Sequence, residues 1–130
     1  MQVHVDTDFL VHALAHAGPA RSRLLELADS DDEAGISAVA WYEFSRGPRT
    51  PEQLAVARSF FLDDGIVVFS EELAERAAEV FRMLGSPRRH GADIAIGVTA
   101  ACCGARLLTG NERDFAGIPD LAVEVVGDQS

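Results

Sequence analysis

Short apolar runs alternate with longer stretches of helical period along the whole chain. Gln2–Val5 reads as a strand, after which Asp6 or Thr7 caps a helix over Phe9–Ala17. Gly18-Pro19 breaks that helix, and a second follows over Arg21–Ala28 with Leu24, Leu25, Leu27 and Ala28 as its apolar side. Gly35-Ile36-Ser37 is a short buried strand; Ser37 or Ala38 starts a helix that Gly47-Pro48 stops. Thr50-Pro51-Glu52, a cap followed by proline at the first helical position, starts a helix reaching Leu62. Ile66–Phe69 reads as a strand. Ser70-Glu71-Glu72-Leu73 opens the next helix, with Leu73, Ala77, Val80, Phe81 and Leu84 on one face and Gly85 as its end. A helix over Asp93–Cys103 ends at Gly104, and Arg106–Leu108 and Ala122–Val126 are the last strands. This β–α alternation predicts an α/β fold, a mostly parallel sheet covered by helices on both faces.

The length, 130 residues, suits one domain spanning 1–130. No apolar run approaches the roughly 20 residues of a membrane span, and the N-terminus lacks a basic-then-apolar signal, so a cytoplasmic location is expected. Cys102 and Cys103 are adjacent in an apolar helix and are expected as buried thiols, not disulfide partners. Charge changes the picture more. Twenty-one acidic residues face eleven basic ones, for a net −10, and every basic residue is arginine. That balance opposes non-specific binding to nucleic acid. A nucleic-acid substrate remains compatible with it, because a bound divalent cation inverts the local sign. The absence of lysine weighs against the phosphatase and response-regulator readings that Val5-Asp6-Thr7-Asp8 would otherwise invite, and against a Walker-type phosphate loop.

Four carboxylates carry the candidate chemistry. Asp6 closes the first strand, Glu43 sits in the helix after the second, Asp93 opens a small-residue helix, and Asp114 follows the strand Leu107-Leu108. In a parallel sheet, ligands bind in the crevice beyond the carboxyl ends of the strands. Acids converging there repel unless a cation sits among them, and oxygen ligands without supporting Cys or His favour Mg²⁺ or Mn²⁺ over zinc. Taken singly, each has another reading. Asp6 and Asp93 suit helix caps, Glu43 suits an i+3 surface pair with Arg46, and Asp8 suits a first-turn helix charge. His12 and His16 have a spacing zinc uses, but no third ligand is evident. Trp41 reads as a core or interface residue. The pairs Arg46/Arg49 and Arg88/Arg89 flank acidic stations and suit either phosphate contacts or solvated surface.

Together the stations Val5-Asp6-Thr7, Ile36-Ser37 with Trp41-Tyr42-Glu43-Phe44 and Gly47, Ala92-Asp93-Ile94-Ala95-Ile96, and Leu107-Leu108-Thr109-Gly110-Asn111-Glu112-Arg113-Asp114-Phe115 resemble a PIN domain, the nuclease fold of the VapC-type toxins. The last stretch is the most specific. The resemblance implies a three-layer sandwich around a mostly parallel sheet of four or five strands, holding one or two Mg²⁺ ions, for which Mn²⁺ substitutes. It implies hydrolysis of RNA phosphodiesters by the toxin of a type II toxin–antitoxin system, a homodimer, and a cognate antitoxin whose C-terminal segment covers the active-site groove. On that pattern Asp6 and Asp93 are the principal metal ligands, Glu43 a ligand or water-orienting base, and Asp114 completes a second metal or an outer shell. Thr109 would hydrogen-bond a ligand. Asn111 stands where many relatives carry the fourth acid, so the metal would be reached from 111, from 114 or through water. Phe9, Leu10, Leu14, Phe60 and Phe61 are apolar candidates for the antitoxin surface or for core and dimer contacts. Gly97 departs from the alanine-rich helix common at that place, which touches packing. The alternative is a PIN-like binding or regulatory module that barely cuts. A metal-free mechanism would leave only His4, His12, His16 and His90 as acid–base groups.

Overall fold

The strand β1 (Gln2–Val5) lies at the centre of a five-stranded sheet with β2 (Glu33–Ser37), β3 (Ile66–Val67), β4 (Arg106–Thr109) and β5 (Ala122–Val125). The computed structural model describes residues 1–87 and 90–127. Strand order is β3-β2-β1-β4-β5, and every neighbouring pair is parallel. Among the described residues, six helices connect the strands: α1 (Thr7–Ala15), α2 (Pro19–Ala28), α3 (Ala38–Ser45), α4 (Pro51–Arg58), α5 (Glu71–Met83) and α6 (Gly91–Cys102). A 3₁₀ turn covers Glu112–Phe115. The expected mostly parallel sheet is therefore wholly parallel, at the upper of the two expected strand counts.

Burial explains why the strands read as continuous rather than alternating. Val3, His4 and Val5 are all buried, as are Ala34, Gly35, Ile36 and Ser37, so both faces of the central strands are covered. Phe9, Leu10, Leu24, Leu27, Phe44, Ile94, Ile96, Leu107 and Leu108 complete that core. Trp41 stacks on Phe44 with ring centroids 5.7 Å apart and meets Phe61 edge-on at 6.3 Å, which places it in packing.

Several boundaries differ from the sequence expectation for local reasons. Helix α1 starts at Thr7, two residues early, because the Asp6 carboxylate accepts from the Phe9 N–H and caps it. It stops at Ala15, where His16 turns extended ahead of Gly18-Pro19. Helix α4 ends at Arg58 rather than Leu62, and the Arg58 guanidinium binds the carbonyls of Phe61, Leu62 and Asp63 in the turns that follow. Helix α6 starts at Gly91, so Asp93 lies inside its first turn and His90 holds the cap position. The two cysteines, expected as buried thiols, are not: Cys102 is exposed and Cys103 half-buried, because both fall at the C-terminal end of α6. Gly97 has a packing role, since a Cβ there would come within 2.5 Å of Ile118 Cδ1 and 3.3 Å of Phe115 Cδ1. The missing side chain lets the segment carrying Asp114 lie close against α6.

Candidate active site

The chain runs from β1 outward to β2 and β3, then returns to the other side of β1 for β4 and β5, so strand order reverses between β1 and β4. That reversal opens a crevice at the carboxyl ends of those two strands. Asp6 follows the last residue of β1, and its N–H bonds the Leu108 carbonyl of β4 at 3.2 Å. Its side chain is held from two sides. Oδ1 accepts from the Phe9 N–H at 2.7 Å, and Oδ2 accepts from the Thr109 hydroxyl at the end of β4. The Thr109 oxygen in turn accepts from the Asn111 N–H at 3.0 Å.

Three further elements bring their acids to the same place. Asp6, Glu43, Asp93 and Asp114 line one cleft of about 240 Å³ together with Thr7, Asp8 and Arg46. Glu43, on the second turn of α3, accepts from the Thr7 hydroxyl at 2.8 Å, and Arg46 Nη2 lies 3.9 Å from its other oxygen. The expected surface pair of Glu43 with Arg46 is thus real but long, and it sits on the cleft wall. Asp8 both occupies the first turn of α1 and lines the cleft. Asn111 goes elsewhere: its amide oxygen accepts from the Arg113 N–H at 3.2 Å and caps the 3₁₀ turn, while Asp114 of that turn faces the cleft.

Electrostatics at the cleft follow from burial. Asp6 is only 6% exposed, and burial pushes its carboxyl from 3.8 up to about 6. The Thr109 and Phe9 hydrogen bonds oppose that rise, whereas the charges of Asp8 and Asp93 add to it. Asp93 is also raised, first by burial and then by Asp114 and Glu43, with a hydrogen bond from His90 working against the rise. A cluster whose buried members resist ionisation, and whose donors are mostly hard oxygens, fits a divalent cation, since the cation compensates the buried charge and removes the repulsion that adds to the rise.

His90 lies beside these acids, a neighbour that sequence reasoning did not single out as a ligand. Its Nδ1 lies 3.3 Å from Asp93 Oδ2, and His90, Asp93 and Asp114 form the one group of three metal-capable side chains that converges among the described residues. The sequence expectation named oxygen ligands alone, and the structure sets a histidine beside two of them. The position of His90, three residues before Asp93 at the start of the helix, was the available signal. His12 and His16 meet each other edge-on at 5.8 Å, exposed at the end of α1, and gain no third ligand among the described residues. Of the arginine pairs, Arg46 reaches the cleft, Arg49 lies over the Phe44 ring and donates to the Phe44 carbonyl, and Arg88/Arg89 fall outside the described residues.

With this geometry established, relatives decide the family. The PIN domain family matches residues 3–121. The chain is 31% identical to Ribonuclease VapC19 of Mycobacterium tuberculosis over 119 residues, covering 90% of this chain and 94% of that protein. This chain belongs to the PIN domain family. Among solved structures, a chain of VapBC2 from Rickettsia felis, crystallised with a DNA fragment from its promoter, superposes with a TM-score of 0.74. It is 22% identical and covers 96% of this PIN domain and 98% of that chain, a likeness of fold. A toxin–antitoxin complex from Klebsiella pneumoniae gives a TM-score of 0.70 at 26% identity, covering 92% of this chain and 95% of that one. No helix among the described residues is long and apolar enough to cross a membrane.

Proposed function

We propose that this PIN domain is a Mg²⁺- or Mn²⁺-dependent endoribonuclease acting in the cytoplasm as the toxin of a type II toxin–antitoxin pair. The observation that carries the reading is the convergence of Asp6, Glu43, Asp93 and Asp114, from four separate elements, on one cleft at the strand-order reversal. The likeness to a ribonuclease over nine-tenths of the chain supports the choice of RNA.

What a divalent cation supplies when bound here is acidification of a water and neutralisation of charge developing on phosphate oxygens. The chain's own residues prepare for that. Asp6 is locked by Phe9 and Thr109 and cannot swing away from the cleft; Asp93 from α6 and Asp114 from the 3₁₀ turn complete the oxygen set. Thr7 fixes one Glu43 oxygen and leaves the other to orient the attacking water and take its proton. Arg46, exposed beside Glu43, is placed to meet a phosphate of the RNA backbone.

An antitoxin partner has a suitable surface. Phe9, Leu10 and Phe61 are buried in the core and are not that surface. An apolar groove of about 400 Å³ instead runs between α1 and α4, lined by Val11, Leu14, Phe44, Pro48 and Val56. The groove suits the apolar face of a partner helix, and an arginine following that helix would be drawn to the acidic cleft. The toxin–antitoxin complex from Klebsiella pneumoniae among the similar structures supports an antitoxin partner.

Cleavage of a mixed RNA substrate by the purified chain tests the reading. Asp93→Asn and Glu43→Gln are each expected to lower the rate at least about 100-fold, with EDTA abolishing cleavage and Mg²⁺ restoring it. Full activity of either folded variant, or cleavage that persists in EDTA, would remove the metal-site assignment.

A further inference from the structure

We propose that His90 is a direct ligand of the cation in the acidic cleft and that it tilts the site toward Mn²⁺ over Mg²⁺. The inference rests on the metal-dependent reading above. His90 occupies the cap position of α6 but makes no capping bond with its side chain, so the ordinary reason for a polar residue there is missing. The imidazole turns instead to Asp93, with Nδ1 at 3.3 Å from Oδ2. One ligand-capable atom from each of His90, Asp93 and Asp114 lies within 4.8 Å of the other two. Six-coordinate ions with bonds of roughly 2.1–2.2 Å hold adjacent ligand atoms roughly 3.0 Å apart and opposite ones roughly 4.3 Å apart. The His90–Asp93 pair, at 3.3 Å, already spans about one edge of such a shell, and a small rotamer adjustment brings Asp114 into it. His90 is exposed and Asp114 only half-buried, so that adjustment meets little resistance.

The chemistry of the donor sets the preference. Mg²⁺ favours oxygen and gives up water reluctantly, whereas Mn²⁺ and later first-row ions accept imidazole nitrogen more readily. An all-carboxylate cleft discriminates weakly between them; one nitrogen in the shell separates them.

The experiment uses the full chain, stripped with EDTA and desalted, titrated with Mn²⁺ and separately with Mg²⁺ by calorimetry at pH 7.5. Wild type, His90→Ala and Asp93→Asn are compared, each with its fold checked by circular dichroism. His90→Ala is expected to weaken Mn²⁺ about 10–30-fold and Mg²⁺ less than about threefold, so the preference collapses. Pulsed electron spin resonance of bound Mn²⁺ is expected to show a directly coordinated nitrogen in wild type and to lose it in His90→Ala. An unchanged Mn²⁺/Mg²⁺ ratio, or no nitrogen coupling in wild type, overturns the role of His90. If Asp93→Asn still loses both ions in that case, the acidic metal site itself stands. If Asp93→Asn binds both ions as wild type does, that reading fails, and this one with it.

Discussion

Neutralising Asp6 is expected to stabilise the metal-free protein. Its carboxyl is raised from 3.8 to about 6 by burial, opposed by hydrogen bonds and assisted by Asp8 and Asp93. A folded-state value above the unfolded one means the fold prefers the protonated acid. The cost of ionisation is absent below about pH 4, builds as pH rises, and is complete above about pH 6. A carboxyl raised that far costs the fold about 3 kcal/mol to keep ionised at neutral pH. Asp6→Asn removes that cost and keeps the oxygen that accepts from Phe9 N–H. It disturbs the hydrogen bond from Thr109, a loss of about 1 kcal/mol. The net gain is about 2 kcal/mol. With an unfolding entropy of roughly 2.1 cal/mol/K per residue over 130 residues, that raises Tm by about 7 °C.

The assay is thermal unfolding of both proteins in EDTA, at pH 8 and again at pH 4, followed by the same scans at pH 8 with saturating Mg²⁺. Expected are a higher Tm for Asp6→Asn at pH 8, a gain that vanishes or turns into a small deficit at pH 4, where the disturbed Thr109 bond is no longer offset, and a reversed order with Mg²⁺, which stabilises only the chain that binds it. A variant no more stable than wild type in EDTA at pH 8, or a gain of equal size at pH 4, refutes the argument that ionised Asp6 is under strain.

His4 acts in the opposite direction: it is 1% exposed, neither ring nitrogen has a hydrogen-bond partner among the described residues, and burial lowers it from 6.5 to about 4. The fold therefore holds it neutral, and stability present above about pH 6.5 is lost as pH falls toward and through 4, by about 3 kcal/mol. His4→Leu is expected to flatten the acid-side fall of Tm, and parallel pH curves for the two proteins would count against this. Thr109→Val removes both the donor to Asp6 and the acceptor for Asn111 N–H, and is expected to lower kcat/KM and Mg²⁺ affinity about 10–100-fold. A change within twofold would reduce Thr109 to a packing residue. Val56→Asp, on the exposed lip of the apolar groove, is expected to weaken antitoxin binding at least about 10-fold by calorimetry. Equal affinity would move the partner to another surface.

Most of the architecture was legible because strand and helix signals are punctuated by Gly and Pro pairs and by strong caps, Thr50-Pro51 and Ser70 among them. Asp6, Asp93 and Asp114 were legible for the same reason, each lying near a strand end or helix start where a parallel sheet opens, whereas Glu43, on the second turn of α3, was legible through its place in the helix that follows β2. What the sequence did not disclose were contacts between distant segments. The groove between α1 and α4 depends on Leu14 and Val56 meeting across separate elements, and the burial of Phe9 and Leu10 depends on the sheet behind them. Cys102 and Cys103 looked buried by their apolar neighbourhood, yet their place at the end of α6 leaves Cys102 exposed and Cys103 half-buried. His90 was hidden by its helix start, which lies earlier than the apolar pattern suggests.

For Asp6, helix cap and metal ligand are not rival roles. A carboxylate that ends a parallel strand and begins the next helix must point into the crevice where that helix starts. Its Oδ1 satisfies the Phe9 N–H, an orphan donor of the first turn, and its Oδ2 is fixed by Thr109 from the neighbouring strand. Capping consumes one lone-pair direction on each oxygen and leaves others free for a cation. The cap therefore acts as the anchor that keeps a buried acid in register with Asp93 and Asp114. On this account an Asp6→Ser variant, which restores a cap without a carboxylate, retains α1 but loses cation binding. Measured helicity near wild type with no Mg²⁺-induced rise in Tm is the expected pair of results. Helicity lost together with binding would mean that the hydroxyl does not replace the cap, and a retained Mg²⁺ response would remove Asp6 from the ligand set.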